Sequence, residues 1–270
     1  MISSNSGKRP FLSIITATHN RPELLKRMVD SVLAQSFQDW ELIIIDDSTH
    51  DETEKCFSSI TEDKRVTYQK NNKNLGLPES RNCGLNKAEG MWITLLDDDD
   101  MYYSFSSLAE VMTVLVNAEK KWITCNRVDL HQIPFTKQLV VKKEYNWVTD
   151  FLFNKSFRGD AVHFIHKSLL LNIRYRGTHR AEWYFWYDLA QKNNFSYFDL
   201  PIVQAEYLPD GMANLGYLKK ERIYQGQQFR EIIKHFRTWK YLPIIIKRYA
   251  ASFVLVRKLI NRLRNKQTSH

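Results

Sequence analysis

The stretch best equipped for chemistry is Met91–Met101, which reads MWITLLDDDDM. An apolar run, Trp92–Leu96, leads directly into Asp97, Asp98, Asp99 and Asp100. A short apolar run bounded by polar residues predicts a buried strand. Four carboxylates at its end are costly, because two unit charges about 4 Å apart repel by roughly 4 kcal/mol at an effective dielectric of about 20. A cation removes that cost. Mg²⁺ and Mn²⁺ take oxygen ligands, often one or two carboxylates together with substrate phosphates. The strand end is therefore expected to hold a divalent metal, and the metal a diphosphate. The competing reading is a solvated acidic turn that caps the next helix.

The elements that must position this stretch follow from the hydrophobic pattern. Phe11–Ala17 predicts a strand, followed by Thr18, His19, Asn20 and Arg21. A helix is expected from Pro22 to about Gln35, with Asn20 as its N-cap and Pro22 in its first turn. Trp40–Ile45 predicts a second strand, ending in Asp46 and Asp47, with a helix through Ile60 after it. Arg65–Gln69 is a third strand. Pro78–Glu89 predicts a helix carrying Arg81 and Asn82 and ended by Gly90. This β-α-β-α-β-α-β order implies a mostly parallel sheet with helices on both faces. Thr16–Asn20, Asp46/Asp47 and Asp97–Asp100 all fall at strand C-terminal ends, the edge where open α/β sheets bind ligands. Neither a G-x-G-x-x-G fingerprint after the first strand nor a Walker A loop is present, which argues against an NAD-type site.

The second half predicts a helix at Phe105–Ala118 and a strand at Trp122–Cys125. A hairpin region is expected at Val128–Tyr145, a strand at Ala161–Ile165 and a short helix at Lys167–Leu171. A helix dense in aromatics is expected at Arg180–Asn193, then short strands at Phe195–Phe198 and Ile202–Tyr207 around Pro201, and a loop at Leu208–Gly216. The chain has 270 residues and a net charge of +9. Residues 219–270 carry a net charge of +12 and residues 1–218 a net charge of −3, so the basic character belongs to the last fifth. That distribution argues against a globular face built to grip nucleic acid. Residues 219–270 mix apolar groups such as Phe253–Val256 with basic ones such as Arg257 and Lys258, the composition of a helix lying on an anionic membrane. The competing reading is a helix pair packed on the core with a solvated basic face. No signal peptide or membrane-spanning run is read. Three scattered cysteines, with no CxxC pair, fit a reducing compartment.

Taken together, Phe11–Pro22, Glu41–Asp51, Gly76–Gly90 and Ile93–Asp100 resemble a glycosyltransferase of family 2, with the GT-A fold. The residues that carry the likeness are Thr16 or Thr18 with Asn20 and Arg21, then IIIDDSTHD, SRNCGLNKAEG and LLDDDD. They cover about 90 residues, one third of the chain. The resemblance implies an inverting enzyme that uses a nucleotide-sugar donor, a UDP-sugar being expected, with Mn²⁺ or Mg²⁺. It implies donor contacts from Thr16, Asn20, Arg21, Asp46, Asp47, Arg81, Asp97 and Asp98, with Asp47 favoured over Asp46 at the base. It implies metal contacts from Asp99 and Asp97, with no evident third protein ligand in Tyr207–Gly216. Ser48-Thr49 stands where the family commonly has Gly-Ser, a small departure in a turn. The family usually places its base in an E-D pair at the start of a later helix; here Glu182 of Ala181-Glu182-Trp183 stands in that place without a preceding acid. Glu182 is thus the expected general base, with Asp188 a poorer candidate and a plain helix-terminal acid the alternative.

Trp183, Tyr184, Trp186 and Tyr187 read either as a sugar-stacking wall or as core, and His163 and His166 as site residues or, more commonly, structural ones. The expected organisation is a nucleotide-sugar half at 1–101, an acceptor half of the same domain at 102–218, and a basic helical tail at 219–270. The expected acceptor is a saccharide or lipid-linked saccharide in polysaccharide or lipopolysaccharide synthesis. The expected location is peripheral, at the inner face of the cytoplasmic membrane, where residues 219–270 would meet the anionic surface. No nucleic acid partner is expected. A nucleotidyltransferase is the alternative enzyme, though it would want a Gly-rich, basic early loop. A non-catalytic membrane- or nucleic-acid-binding protein acting through the basic tail is the alternative of another class.

Overall fold

The computed structural model describes residues 9–58, 62–176 and 182–206. The first half follows the expected alternation. It runs β1 (Leu12–Thr18), α1 (Pro22–Leu33), β2 (Trp40–Asp46), α2 (Glu52–Ser58), β3 (Val66–Lys70), α3 (Leu77–Lys87) and β4 (Trp92–Leu95). Strands β3, β2, β1 and β4 lie side by side and parallel. Successive strand residues point to opposite faces. Leu12 and Ile14 accordingly join a core with Leu25, Met28 and Val32 of α1, while Ile15 faces α3 across the sheet.

The second half completes an eight-stranded sheet, of order β3-β2-β1-β4-β9-β6-β10-β5. Its strands are β5 (Met101–Tyr102), β6 (Trp122–Val128), β9 (Ala161–His166) and β10 (Ser196–Gln204). Strand β9 runs antiparallel between β4 and β6, and β5 antiparallel to β10. The expected GT-A-like layout, mostly parallel with helices on both faces, is thus present. Helix α4 (Ser107–Val116) adds Leu108, Val111 and Leu115 to the core shared with α1.

Several expectations are corrected. Asn20 does not cap α1. It has a positive φ of 54°, and its amide bonds Thr49; Arg21 occupies the cap position and makes no side-chain cap bond. Within the expected Val128–Tyr145 hairpin region only an isolated antiparallel bridge, Val128 to Pro134, forms a turn-back, while β7 (Lys137–Gln138) pairs outside the region with β8 (Phe157–Arg158) as a separate small ribbon. A π-helix at Trp147–Phe153 was not expected. The two strands around Pro201 are one strand, β10, with register shifts at the proline, which cannot donate to the ladder. The aromatic helix is shorter than expected, α5 at Trp183–Ala190. The described residues all belong to one compact unit. The loop at Leu208–Gly216, the boundary near 218 and the basic tail at 219–270 lie outside the described residues.

Two glycines set how closely α3 and its exit approach β1. A Cβ at Gly84 would stand 2.3 Å from Ile15 Cγ2. A Cβ at Gly90 would stand 2.5 Å from the Ser13 backbone nitrogen, which cannot swing aside as a side chain can. Gly90→Ala should therefore destabilise the fold by roughly 1–3 kcal/mol. Urea unfolding measures this, and an unchanged midpoint would mean that β1 yields at no cost.

Candidate active site

The carboxylates after β4 are met by arginines from three elements. Asp97 accepts from Arg81 Nη2 of α3 at 2.7 Å and lies 3.5 Å from Arg127 Nη2 of β6. Arg127 also pairs with Asp100, and with Asp160 at 2.7 Å. Asp98 accepts from Thr18 Oγ1 at 2.8 Å and pairs with Arg21 Nη1 at 3.3 Å. Asp99 lies 3.2 Å from the same Arg21 nitrogen, and its carbonyl accepts from Arg27 Nη2 at 2.7 Å. The repulsion foreseen from sequence is thus relieved by guanidinium groups of the chain itself.

Arg81 reaches further. Its Nη1 donates to Glu182 at the head of α5, so one guanidinium joins the end of β4 to the candidate base. The Arg-Asn pair on α3 divides the work. Asn82 donates to the Tyr175 carbonyl and accepts from its N–H, each at 2.8 Å. Tyr175 lies beneath Arg81, 5.5 Å from its ring centroid to the guanidinium carbon, and stacks on Phe185 of α5 at 4.2 Å. Asn82 therefore fixes the ring on which both Arg81 and α5 rest. Glu182 is not used as a cap, since its side chain makes no cap bond. Asp188 pairs with Arg176 at 2.9 Å instead.

Charge follows this geometry. Burial pushes the Glu182 carboxyl up, Arg81 opposes this, and Asp97 adds to it; the net direction is upward. Asp97 is raised by burial but more than restored by Arg81 and then Arg127, and ends below the ordinary value. Asp99 is raised by burial and then by Asp97. Burial also raises Asp100 well above the usual range, against the pull of Arg127.

Asp46, Asp47 and Thr16 sit on the same edge but serve differently. Thr16 is fully buried and donates to the Leu96 carbonyl at 2.8 Å, tying β1 to the β4 exit. Asp46 is fully buried, accepting from Ser48 N–H at 2.9 Å and from the Tyr68 hydroxyl. Asp47 accepts from Asn71 Nδ2 at 2.9 Å, Leu75 N–H at 2.8 Å and Gly76 N–H at 2.7 Å. It thereby shapes the loop that precedes α3. The structure brings Arg21, Arg81, Asp97, Asp98, Asp99 and Glu182 together, and sets Thr16 and Asp46 behind them as supports.

Arg127 was missed from sequence. The available signal was an arginine inside the otherwise uncharged strand WITCNRV, since a buried guanidinium demands carboxylates. His163 is structural. It bonds Trp122 Nε1 and Thr124 Oγ1 at 3.2 and 3.0 Å, and burial, then Arg127, lower it to about 3. Among the aromatics, Trp183 and Tyr187 are buried, while half-buried Trp186 stacks on Trp122.

Among the described residues, no three of His, Cys, Asp and Glu gather as a ready-made metal cage. Of the four strand-end carboxylates, Asp97 and Asp99 keep 40% and 24% of their side chains exposed, against 9% for Asp98 and 4% for Asp100.

The sequence pattern of glycosyl transferase family 2 matches residues 13–173. The chain belongs to that family. It is 39% identical over 93 residues to the GalNAc(5)-diNAcBac-PP-undecaprenol beta-1,3-glucosyltransferase of Campylobacter jejuni, a match covering 34% of this chain and 30% of that one. The chain spans about one third of the length of the curated relatives it first matches. Its fold is that of S. aureus TarS 1-349 in complex with UDP-GlcNAc, with a TM-score of 0.66 at 14% identity over 83% of this chain and 66% of that one. It is also that of the mannosyltransferase PcManGT from Pyrobaculum calidifontis in complex with GDP-Man and Mn²⁺, with a TM-score of 0.57 at 15% identity over 91% and 69%. Both neighbours share the GT-A architecture.

The Asp98 carboxyl gives the site a pH signature. Burial, opposed by Thr18 and Arg21, pushes it up from 3.8 to about 6. Between those values the folded protein holds the proton that the unfolded chain has lost, so this group withdraws stability as pH rises from about 4 to about 6. Asp98→Asn carries no such loss. Its stability relative to wild type should rise by on the order of 2 kcal/mol between pH 4 and pH 7, read by urea unfolding at each pH. A difference independent of pH would contradict the assignment.

Proposed function

We propose that this protein is an inverting glycosyltransferase that moves a sugar from a nucleoside diphosphate donor, with UDP as the nucleotide, to a saccharide on a lipid-linked acceptor. The observation that carries the reading is the Arg81 clamp, which holds a carboxylate of the ligand-binding strand edge and the carboxylate of Glu182 on one guanidinium. In this reading Glu182 takes the proton of the acceptor hydroxyl as its oxygen attacks the anomeric carbon. The bond from that carbon to the diphosphate breaks on the opposite face, which inverts the configuration. The raised Glu182 carboxyl is a stronger base than a free glutamate, and a positioned base contributes about 10²- to 10⁴-fold. In this reading Arg81 stabilises the charge that develops on the departing diphosphate.

Asp97 and Asp99 fit a hard divalent ion, because their oxygens are exposed and Asp97 raises the cost of charge on Asp99. Mn²⁺ or Mg²⁺ held there would supply positive charge beside the diphosphate, completing its ligands with phosphate oxygens and water. A bound Mn²⁺ in the Pyrobaculum enzyme supports this reading. Arg21, fixed by Asp98 and Asp99, and the loop shaped by Asp47 form the donor side, with Asn20 at its rim. UDP-GlcNAc on TarS supports the nucleotide. The lipid-linked acceptor rests on the name of the Campylobacter relative and on the basic segment 219–270, which would hold the protein at the cytoplasmic face of the membrane during cell-surface polysaccharide or lipopolysaccharide synthesis.

Two variants separate these roles. Glu182→Gln should retain UDP affinity while losing about 10²- to 10⁴-fold in transfer rate. Near-wild-type transfer would require a different base. Asp99→Ala should lose Mn²⁺-dependent binding of UDP in a calorimetric titration, and unaltered binding would remove Asp99 from the metal site.

A further inference from the structure

The small ribbon of β7 and β8 carries a surface that the catalytic reading does not use. Three consecutive aliphatic side chains, Leu139, Val140 and Val141, are exposed by 55%, 51% and 82%. Single exposed apolar residues are ordinary, but three in a row on a surface need a reason. This segment is also held in place. The N–H groups of Leu139 and Val140 donate to the Ser156 carbonyl at 2.8 and 3.2 Å. The fully buried Tyr145 donates its hydroxyl to the Val140 carbonyl at 2.8 Å and accepts from Lys142 N–H at 2.9 Å. The backbone is anchored from inside while the three side chains face out.

Charge around the knob has one dominant sign. Lys137, Lys155 and Arg158 are exposed and have no carboxylate partner among the described residues. Lys142 and Lys143, also exposed, pair with Asp150 and Glu119. An apolar tip ringed by cations matches an anionic bilayer, whose headgroups attract the ring and whose acyl boundary takes the tip. The knob is also continuous in sequence with the site, because Arg127 at the end of β6 leads through a turn exposing Leu130 and Ile133 by 55% and 58% into β7.

We infer that Leu139–Val141 is a membrane-inserting tip, ringed by Lys137, Lys155 and Arg158, that docks this face on an anionic phospholipid surface. This segment is distinct in sequence from residues 219–270, and the inference stands without the catalytic reading.

The test is co-sedimentation of the full chain with vesicles of phosphatidylcholine, with and without phosphatidylglycerol. Wild type is compared with Leu139→Ser/Val140→Ser/Val141→Ser and with Lys137→Glu/Arg158→Glu. At a salt concentration that screens the basic tail, the triple variant should partition at least about tenfold less onto phosphatidylglycerol vesicles. Its melting temperature and its turnover of soluble donor should not move. The charge variant should bind phosphatidylglycerol vesicles measurably more weakly than wild type at low salt, the basic segment 219–270 supplying what remains, and equal binding would count against the ring. Equal partitioning of the triple variant and wild type would overturn the proposal. So would loss of a concentration-dependent dimer in the triple variant with vesicle binding unaltered, which would make the tip a contact between copies of the chain. Vesicle binding with no donor turnover in wild type would leave this inference standing and count against the catalytic reading alone.

Discussion

The mutual repulsion of four carboxylates at the end of β4 is the constraint around which the described residues are arranged. Arg21 from the start of α1, Arg81 from α3 and Arg127 from β6 converge on it. Each arrives only because its element is held in place. Arg81 depends on the close approach of α3 to β1 that Gly84 permits, and Arg127 on β6 joining the sheet through the antiparallel β9. Asp97 to Asp100, Glu182 and Asp160 still outnumber the three guanidinium groups that touch them. Of these carboxylates, Asp97, Asp99, Glu182 and Asp160 keep 40%, 24%, 37% and 47% of their side chains exposed. A strand end so arranged is partly neutralised by its own chain.

How much of this was legible in the sequence depended on whether the signal was local. Apolar runs ending in polar clusters marked β1, β2 and β4 to within a residue or two, and their order implied the parallel half of the sheet. The strand-end carboxylates, Arg81 and Glu182 were readable because family-like motifs lie close in sequence or at a helix start. Arg127 was not, because an arginine in an otherwise uncharged strand signals buried carboxylates without naming them, and Asp97 and Asp160 are brought beside it only by tertiary packing. Strand β9 was expected, at Ala161–Ile165, but not its antiparallel place between β4 and β6, and β5, with two residues, carries no periodicity. The β7–β8 ribbon joins residues about twenty apart across a π-helix, a pairing that alternation within 128–145 could not reveal.

Two residues singled out from the sequence have structural duties that local chemistry did not suggest. Asp47 spends its carboxylate on three donors, Asn71, Leu75 and Gly76, and so shapes the loop that precedes α3. Asn20, expected as a helix cap, instead cross-links the β1 exit to the β2 exit through Thr49. Both act at the same edge and hold its loops in register.

The most direct test of the central claim, a diphosphate site assembled on the β4 carboxylates, is a thermal-shift titration of the wild-type protein with UDP, with and without Mn²⁺. A ligand that binds only the folded state raises the melting temperature in proportion to its occupancy. The account predicts clear stabilisation by UDP with Mn²⁺ present and little by either alone. A folded protein whose melting temperature is indifferent to UDP and to other nucleoside diphosphates, with or without Mn²⁺, would contradict it.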